Sequence, residues 1–453
     1  MSSAILQLLS LSLCAVGTHP LLAAPPPGAA VEFYSGMGGF RSALGLARPS
    51  SFRVEASYEI NTQANAVYAH NFAPDEALCR SIETLRPAEL DGKYDLWMGS
   101  PPCQPYCKIG KRLDEHDNRA RSFHHLLELL PRLEQPPRFV ILENVPAFLG
   151  SASRRRLLEA LEAADYDCFE TTLSPVDAFG LGIPNTRLRY FCLAARREEE
   201  DEVEEGGLIS DGGGSTDGRK KRRSRSVLFA GKSPSDVAMA RGDAPTTTTT
   251  TTTIRPLSEF LLRAEDMDAA AEALVEGPLK VSRETMEKYS YVKMDVAHPE
   301  ATETSTVTKG YGKQFGKSGP VLDVAAWRAH LRRSGTSTIT SSGSGSGIGS
   351  GGGQPPVAAP ATAAHKENLE KSETTASTIP TTTTEMERFR CLNAATDEIR
   401  YLAPRELLRL HGYGEAFDFP PHFSPRQASA LVGNSITVPL AARLLDLLLP
   451  PEA

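Results

Sequence analysis

Apolar runs short enough to be strands alternate along this chain with stretches whose apolar residues recur at helical spacing. Val31-Glu32-Phe33-Tyr34 breaks into the glycines of Ser35-Gly36-Met37-Gly38-Gly39, and the helix-like Arg41-Ser42-Ala43-Leu44-Gly45-Leu46 follows. Leu96-Trp97-Met98 and Phe139-Val140-Ile141-Leu142 read as buried strands, and a further strand is expected at Tyr190-Phe191. Strand and helix in alternation predict an α/β fold built on a doubly wound, mostly parallel sheet. Near the C-terminus, Pro404 to Gly412 reads as a helix closed by glycine, and Pro439 to Leu449 as a terminal helix.

Two stretches interrupt this pattern. Residues 197–253 hold an acidic block, Gly212-Gly213-Gly214, the basic block Arg219-Lys220-Lys221-Arg222-Arg223 and a run of threonines, and residues 333–385 are rich in Ser, Gly, Thr and Pro. Neither has enough apolar side chains to offset the entropy of ordering it, so both are expected to be disordered. The remainder divides into an extension at 1–29, a folded part at 30–196, a small segment of ordinary composition at 254–332 and a second folded part at 386–450.

Charge and cysteine content change the picture little. The formal charge of −7 is matched by the seven acids within Glu198 to Glu205, so the folded surface is free to carry a basic groove. The seven cysteines lack regular spacing, which suits a reducing compartment; Cys103 and Cys107 fit zinc spacing poorly, so no metal is expected. Met1 to Ala24 has an apolar centre with no lysine or arginine before it. It is too short to span a membrane convincingly and reads as an unstructured extension, with organelle targeting as the alternative.

Candidate chemistry sits at the predicted strand ends. Ser100-Pro101-Pro102-Cys103-Gln104-Pro105 places one thiol in a loop stiffened by prolines, where open α/β sheets carry their chemistry. The glycine turn after the first strand allows close backbone approach to a ligand. It lacks the dinucleotide spacing and the lysine of a phosphate loop, which disfavours a polyphosphate. Glu59 stands where nucleotide folds place a ribose-binding acid. Glu143 ends the strand at Phe139, and Arg187 and Arg189, two residues apart, would share one face of an extended segment and hold an anion or a carbonyl oxygen.

Taken in order, these motifs resemble the cytosine-5 methyltransferases. The glycine turn is similar to that family's S-adenosylmethionine loop, Pro101-Pro102-Cys103-Gln104 to its nucleophile loop, Glu143-Asn144-Val145 to its acid loop and Asn185 to Arg189 to its paired-arginine strand. Leu431 to Val438 resembles the final motif, which returns to the cofactor. Local wording at Cys103 to Gly110, Leu181 to Phe191 and Lys309-Gly310-Tyr311-Gly312 is closest to the subgroup that resembles DNA methyltransferases but modifies the anticodon loop of aspartate transfer RNA. That subgroup has Cys-Phe-Thr where this chain has Thr306-Val307-Thr308.

The resemblance implies a catalytic domain split into residues 30–196 and 386–450, with 254–332 as target-recognition region. It implies Cys103 as nucleophile, Glu143 as the acid at the base's N3 and amine, and Arg187 and Arg189 on its carbonyl. For S-adenosylmethionine it implies Tyr34, Ile60 and Ile82 around the adenine, Gly36, Gly38 and Gly39 under the methionine portion, Glu59 on the ribose and Asn434 nearby, with Gln104 and Asn144 in support. The expected partner is transfer RNA, with DNA as the alternative polymer and no membrane. Lys108, Lys111, Arg112, Arg119 and Arg121 are the expected phosphate contacts. The expected location is cytoplasm or nucleus, Arg219 to Arg225 reading as an import signal or a solvated linker.

Overall fold

The computed structural model describes residues 27–72, 77–106, 117–199, 224–225, 228–229, 232, 237, 253–336 and 388–452. Seven strands form the main sheet: β1 (Gly28–Phe33), β2 (Phe52–Tyr58), β3 (Ala77–Leu78), β4 (Leu96–Gly99), β5 (Phe139–Asn144), β6 (Tyr166–Leu173) and β7 (Arg189–Arg196). Their order is β3-β2-β1-β4-β5-β7-β6. β1 pairs in parallel with β2 and β4, and β4 with β5, while β7 runs antiparallel to both β5 and β6. The expected doubly wound, mostly parallel α/β sheet is therefore present. The chain order reverses between β1 and β4, which places a crevice at their C-terminal ends.

Side chains alternate across the sheet, and both faces are apolar, as a covered sheet requires. In β7, Phe191, Leu193 and Ala195 join one core while Tyr190, Cys192 and Ala194 join the other. The first core takes in Phe40 and Leu44 of α1 (Gly39–Ala47) and Ala64 and Val67 of α2 (Thr62–Asn71), with Leu440, Leu444 and Leu447 of the terminal helix Val438–Leu448. The second takes in Phe123 and Leu126 of α3 (Arg121–Leu129) and Leu157 and Leu161 of α4 (Ala152–Ala163).

A four-stranded sheet forms the second unit, with Met294–Ala297 and Val321–Asp323 at its centre. Its outer strands are Phe389–Arg390 and Ile399–Arg400, which the sequence reading placed in the second catalytic part beginning at 386. The helix Val324–Thr336 likewise runs past the boundary expected at 332. Arg400 and Glu406 then join the small sheet to the helix Pro404–His411 through a fully buried ion pair at 2.7 Å. Glu406 also accepts from the backbone N–H groups of Leu262 and Ala403, and the Arg400 guanidinium lies 4.3 Å from the Trp327 ring centre. These contacts satisfy charges that would otherwise be costly to bury. Most of the two inserts expected to be disordered lies outside the described residues, as does most of the 1–29 extension, but against that expectation Glu198–Glu199 pairs with Ser224–Arg225 and Phe229 packs edge-on against Phe169.

Candidate active site

The nucleophile loop and the acid loop leave the sheet side by side, because the β4–β5 register pairs Gly99 with Leu142. Asn144 Nδ2 donates to the carbonyl of Pro101 at 3.2 Å, tying one loop to the other. The Tyr106 N–H donates to the carbonyl of Cys103 at 3.1 Å, and its ring packs edge-on against Phe148 with centroids 5.0 Å apart. Cys103 therefore stands half-buried at the head of a loop anchored on both sides.

Glu143 is 8% exposed, and both of its oxygens are held. Ser100 Oγ donates to Oε2 at 3.0 Å, and Arg189 Nε lies 3.0 Å from Oε1. The antiparallel register sets Tyr190 opposite Asn144, so Arg189 emerges just past the end of β5, where it can reach back to Glu143. Ser100 was not singled out in the sequence. Its place three residues before Cys103, at the mouth of a strand, was the available signal.

The structure separates the two arginines expected to share a face. Arg189 opens β7, but Arg187 precedes the strand in irregular backbone, where period-two alternation does not apply. Arg187 is 3% exposed and donates to the carbonyls of Val307 (2.7 Å), Gly433 (3.4 Å) and Ser435. Both terminal nitrogens of its guanidinium are engaged by backbone carbonyls, while the buried Nε has no partner among the described residues. Burial pulls its pKa down to about 9; the Arg189 charge adds to the drop, and Glu143 and Cys103 oppose it. Arg187 thus lies within electrostatic reach of Cys103 while bolting three segments together.

On the other side of the crevice, the turn after β1 is built for close approach. Gly36 takes φ +54°, and a Cβ there would meet nothing within 4 Å. Its N–H donates to Glu59 Oε2 at 3.1 Å, and the Asn61 N–H donates to Oε1 at 2.8 Å, which fixes the carboxylate while leaving each oxygen another lone pair. Ile60 is 72% exposed, an apolar side chain held in water at a strand end. The Tyr34 hydroxyl donates to Ser122 Oγ at 3.1 Å.

Gly38 has φ +90°, and a Cβ there would lie 2.3 Å from the Phe72 ring. At Gly39 a Cβ would lie 2.7 Å from Ile436, so the turn is packed against the C-terminal motif. Asn434 is exposed at the end of the helix Pro425–Gly433. Ile82, expected to wall the adenine, is 4% exposed in the core with Phe33 and Trp97. Open space over a glycine, a fixed carboxylate and an exposed apolar side chain fit an adenosine with an amino-acid tail.

Of the expected phosphate contacts, Lys108, Lys111 and Arg112 lie outside the described residues. Arg119 pairs with Asp117 at 2.6 Å and Arg121 lies 3.6 Å from Glu83. Among the described residues, no group of three or more His, Cys, Asp or Glu side chains is placed to hold a metal ion.

A cysteine on a strand-end loop that is tied to the loop of an acid–arginine pair, on a sheet of this order with an open glycine turn, defines an α/β methyltransferase. The family of C-5 cytosine-specific DNA methylases matches residues 29–449, and the chain belongs to it. It is a cytosine-5 methyltransferase. It is 28% identical over 448 residues to the tRNA (cytosine(38)-C(5))-methyltransferase of Rattus norvegicus, covering 92% of this chain and 98% of that one. The Homo sapiens enzyme of the same name is 28% identical over 444 residues, with the same coverage. The DNA (cytosine-5)-methyltransferase of Dictyostelium discoideum is 29% identical over 428 residues, covering 93% and 94%. The crystal structure of the S. pombe Dnmt2 methyltransferase shares the fold, with a TM-score of 0.60 at 22% identity and coverage of 93% and 98%.

Proposed function

We propose that this chain methylates carbon-5 of a cytosine in the anticodon loop of a transfer RNA, that of aspartate, through a covalent adduct on Cys103. The pairing of the Cys103 loop with the acid loop, through Asn144 and Pro101, next to the Glu143–Arg189 pair supports the chemistry, with Cys103 and Glu143 both within electrostatic reach of Arg187. Near full-length similarity to relatives named for position 38 of transfer RNA supports the polymer.

S-adenosylmethionine, when bound, supplies an electrophilic methyl group; Gly36, Glu59, Ile60 and Tyr34 are the residues that would hold it. The Cys103 thiolate adds to carbon-6 of the cytosine, forming a C–S bond and moving an electron pair onto carbon-5, which is otherwise a poor nucleophile. Glu143 donates to N3 and binds the amine, stabilising the adduct, while Arg189 orients Glu143 and reaches the base carbonyl. The carbon-5 pair would form the new bond to the methyl group as that group's bond to the cofactor sulfur breaks; loss of the carbon-5 proton to a base then leaves its C–H pair as the restored carbon-5–carbon-6 double bond, returns the N3 proton to Glu143 and expels Cys103 as thiolate with the C–S pair. The base must leave its stack to reach Cys103, and a loop cytosine pays less for this than a paired one.

The relative named as a DNA methyltransferase supports a second reading in which the same chemistry acts on DNA. Labelled methyl transfer to transfer RNA and, separately, to duplex DNA distinguishes them, with bisulfite sequencing to locate the product. One new methylcytosine in the anticodon loop, with DNA nearly unmodified, is the expected result. Labelled DNA with unmodified transfer RNA overturns the first reading.

A further inference from the structure

The sequence departs from the transfer-RNA subgroup at Thr306, and the structure shows what that side chain holds. Residues 304–307 run alongside Pro184 to Arg187 as a strap from the recognition region. Thr186 has three polar groups, and the strap engages all of them. Its N–H and its Oγ both donate to the carbonyl of Thr304, at 2.9 and 2.8 Å. Its own carbonyl accepts from Thr306 Oγ. The buried Thr304 hydroxyl returns a bond to the carbonyl of Pro184 at 2.5 Å, and Arg187 reaches the carbonyl of Val307. The strap is fixed from behind as well, since the Ser305 N–H donates to Asp295 Oδ2 at 2.6 Å. Three residues beyond Thr186, Arg189 meets Glu143.

We propose that Thr306 is a positioning residue for methyl transfer: its hydroxyl fixes the Thr186 carbonyl and so sets where Arg189 holds Glu143. This rests on the reading in which Glu143 acts on the base. Thr304 holds the N–H and Oγ of Thr186 without help from Thr306, so the fold survives loss of the Thr306 hydroxyl. The carbonyl, next in the chain to Arg187, does not keep its partner. A thiol at this position is a weaker donor, so threonine makes the tighter version of the contact.

The test compares wild type with Thr306→Val, Thr306→Ser and Thr306→Cys on whichever of transfer RNA and duplex DNA the wild type methylates. Valine keeps the shape and removes the donor. Thr306→Val should lower kcat about tenfold or more, since small misplacements of catalytic groups cost up to about a hundredfold. KM for S-adenosylmethionine should stay within about twofold and Tm within about 3 °C. Serine should restore kcat, and cysteine should fall between. Wild-type kcat in the valine variant, no rescue by serine, or kcat and Tm falling together would each overturn the role. A wild type inactive on both polymers overturns the reaction and this role with it.

Discussion

Arg189 Nε lies 3.0 Å from Glu143 Oε1, with the two side chains only 15% and 10% exposed. Arg187, two residues earlier, has its guanidinium on the carbonyls of Val307, Gly433 and Ser435. One arginine grips a strand-end carboxylate and the other ties backbone segments together. On the proposed function, geometry at Arg189 sets what Glu143 offers a base, whereas Arg187 holds residues 304–307 and the C-terminal motif in place.

The same substitution should therefore have opposite signatures at the two positions. Lysine keeps the charge and loses the planar fork. Arg189→Lys should lower kcat by about ten- to a hundredfold with Tm within about 3 °C of wild type. Arg187→Lys should leave buried carbonyls without donors, costing about 3 kcal/mol and lowering Tm by about 6 °C or more. Thermal denaturation alongside single-turnover kinetics reads both. A Tm loss at Arg189 equal to that at Arg187 would contradict the division.

Cys103→Ala should abolish methyl transfer while leaving S-adenosylmethionine affinity within a few-fold, because the thiol heads the β4 loop and the cofactor turn follows β1. Calorimetric titration and a methyl-transfer assay separate the two quantities. Turnover above about one per cent of wild type in the variant would remove Cys103 from the reaction.

Ile60 offers a test of the cofactor side. At 72% exposure it contributes little to the core. Covering it with an adenine would remove apolar area worth about 1–2 kcal/mol, so Ile60→Ala should weaken S-adenosylmethionine binding about five- to thirtyfold with Tm nearly unchanged. Unaltered affinity would show that the adenine lies elsewhere.

Much of the site was legible because its chemistry is local. Cys103 and Glu59 follow β4 and β2 by a few residues or one, and Glu143 stands one residue from the end of β5, so the strand pattern also placed them at the sheet's edge. Arg187 departs from the face expected of it because period-two alternation holds only within a strand, and β7 begins at Arg189. The outer strands of the small sheet, two residues each, are too short to leave a periodic trace, and their partners lie far away in the chain. The bonds from Thr304 and Thr306 to Pro184 and Thr186 join segments about 120 residues apart, a pairing that no spacing encodes.

Beneath the glycine turn, Glu32 supplies a prediction about pH. It is 1% exposed, and its Oε1 accepts from the Phe40 N–H at 3.0 Å at the start of α1. Burial pushes its pKa from the ordinary value near 4.5 up to about 8, against the N–H groups of Phe40 and Arg41 and the Arg41 charge, which pull it down. The folded chain therefore keeps a proton that the unfolded chain has lost. Stability from this group is fully present below about pH 4.5 and is lost as pH rises through about 8. Glu32→Gln stays neutral throughout, and its carbonyl oxygen can still accept from Phe40. At pH 5 the variant and wild type should differ little in Tm; by pH 8.5 the variant should be more stable by about 4 kcal/mol, or about 8 °C or more. Scanning calorimetry from pH 5 to 9 measures the difference. Parallel Tm profiles across that range would mean that Glu32 does not hold the proton, and a variant less stable at every pH would mean that glutamine cannot replace it at the helix start.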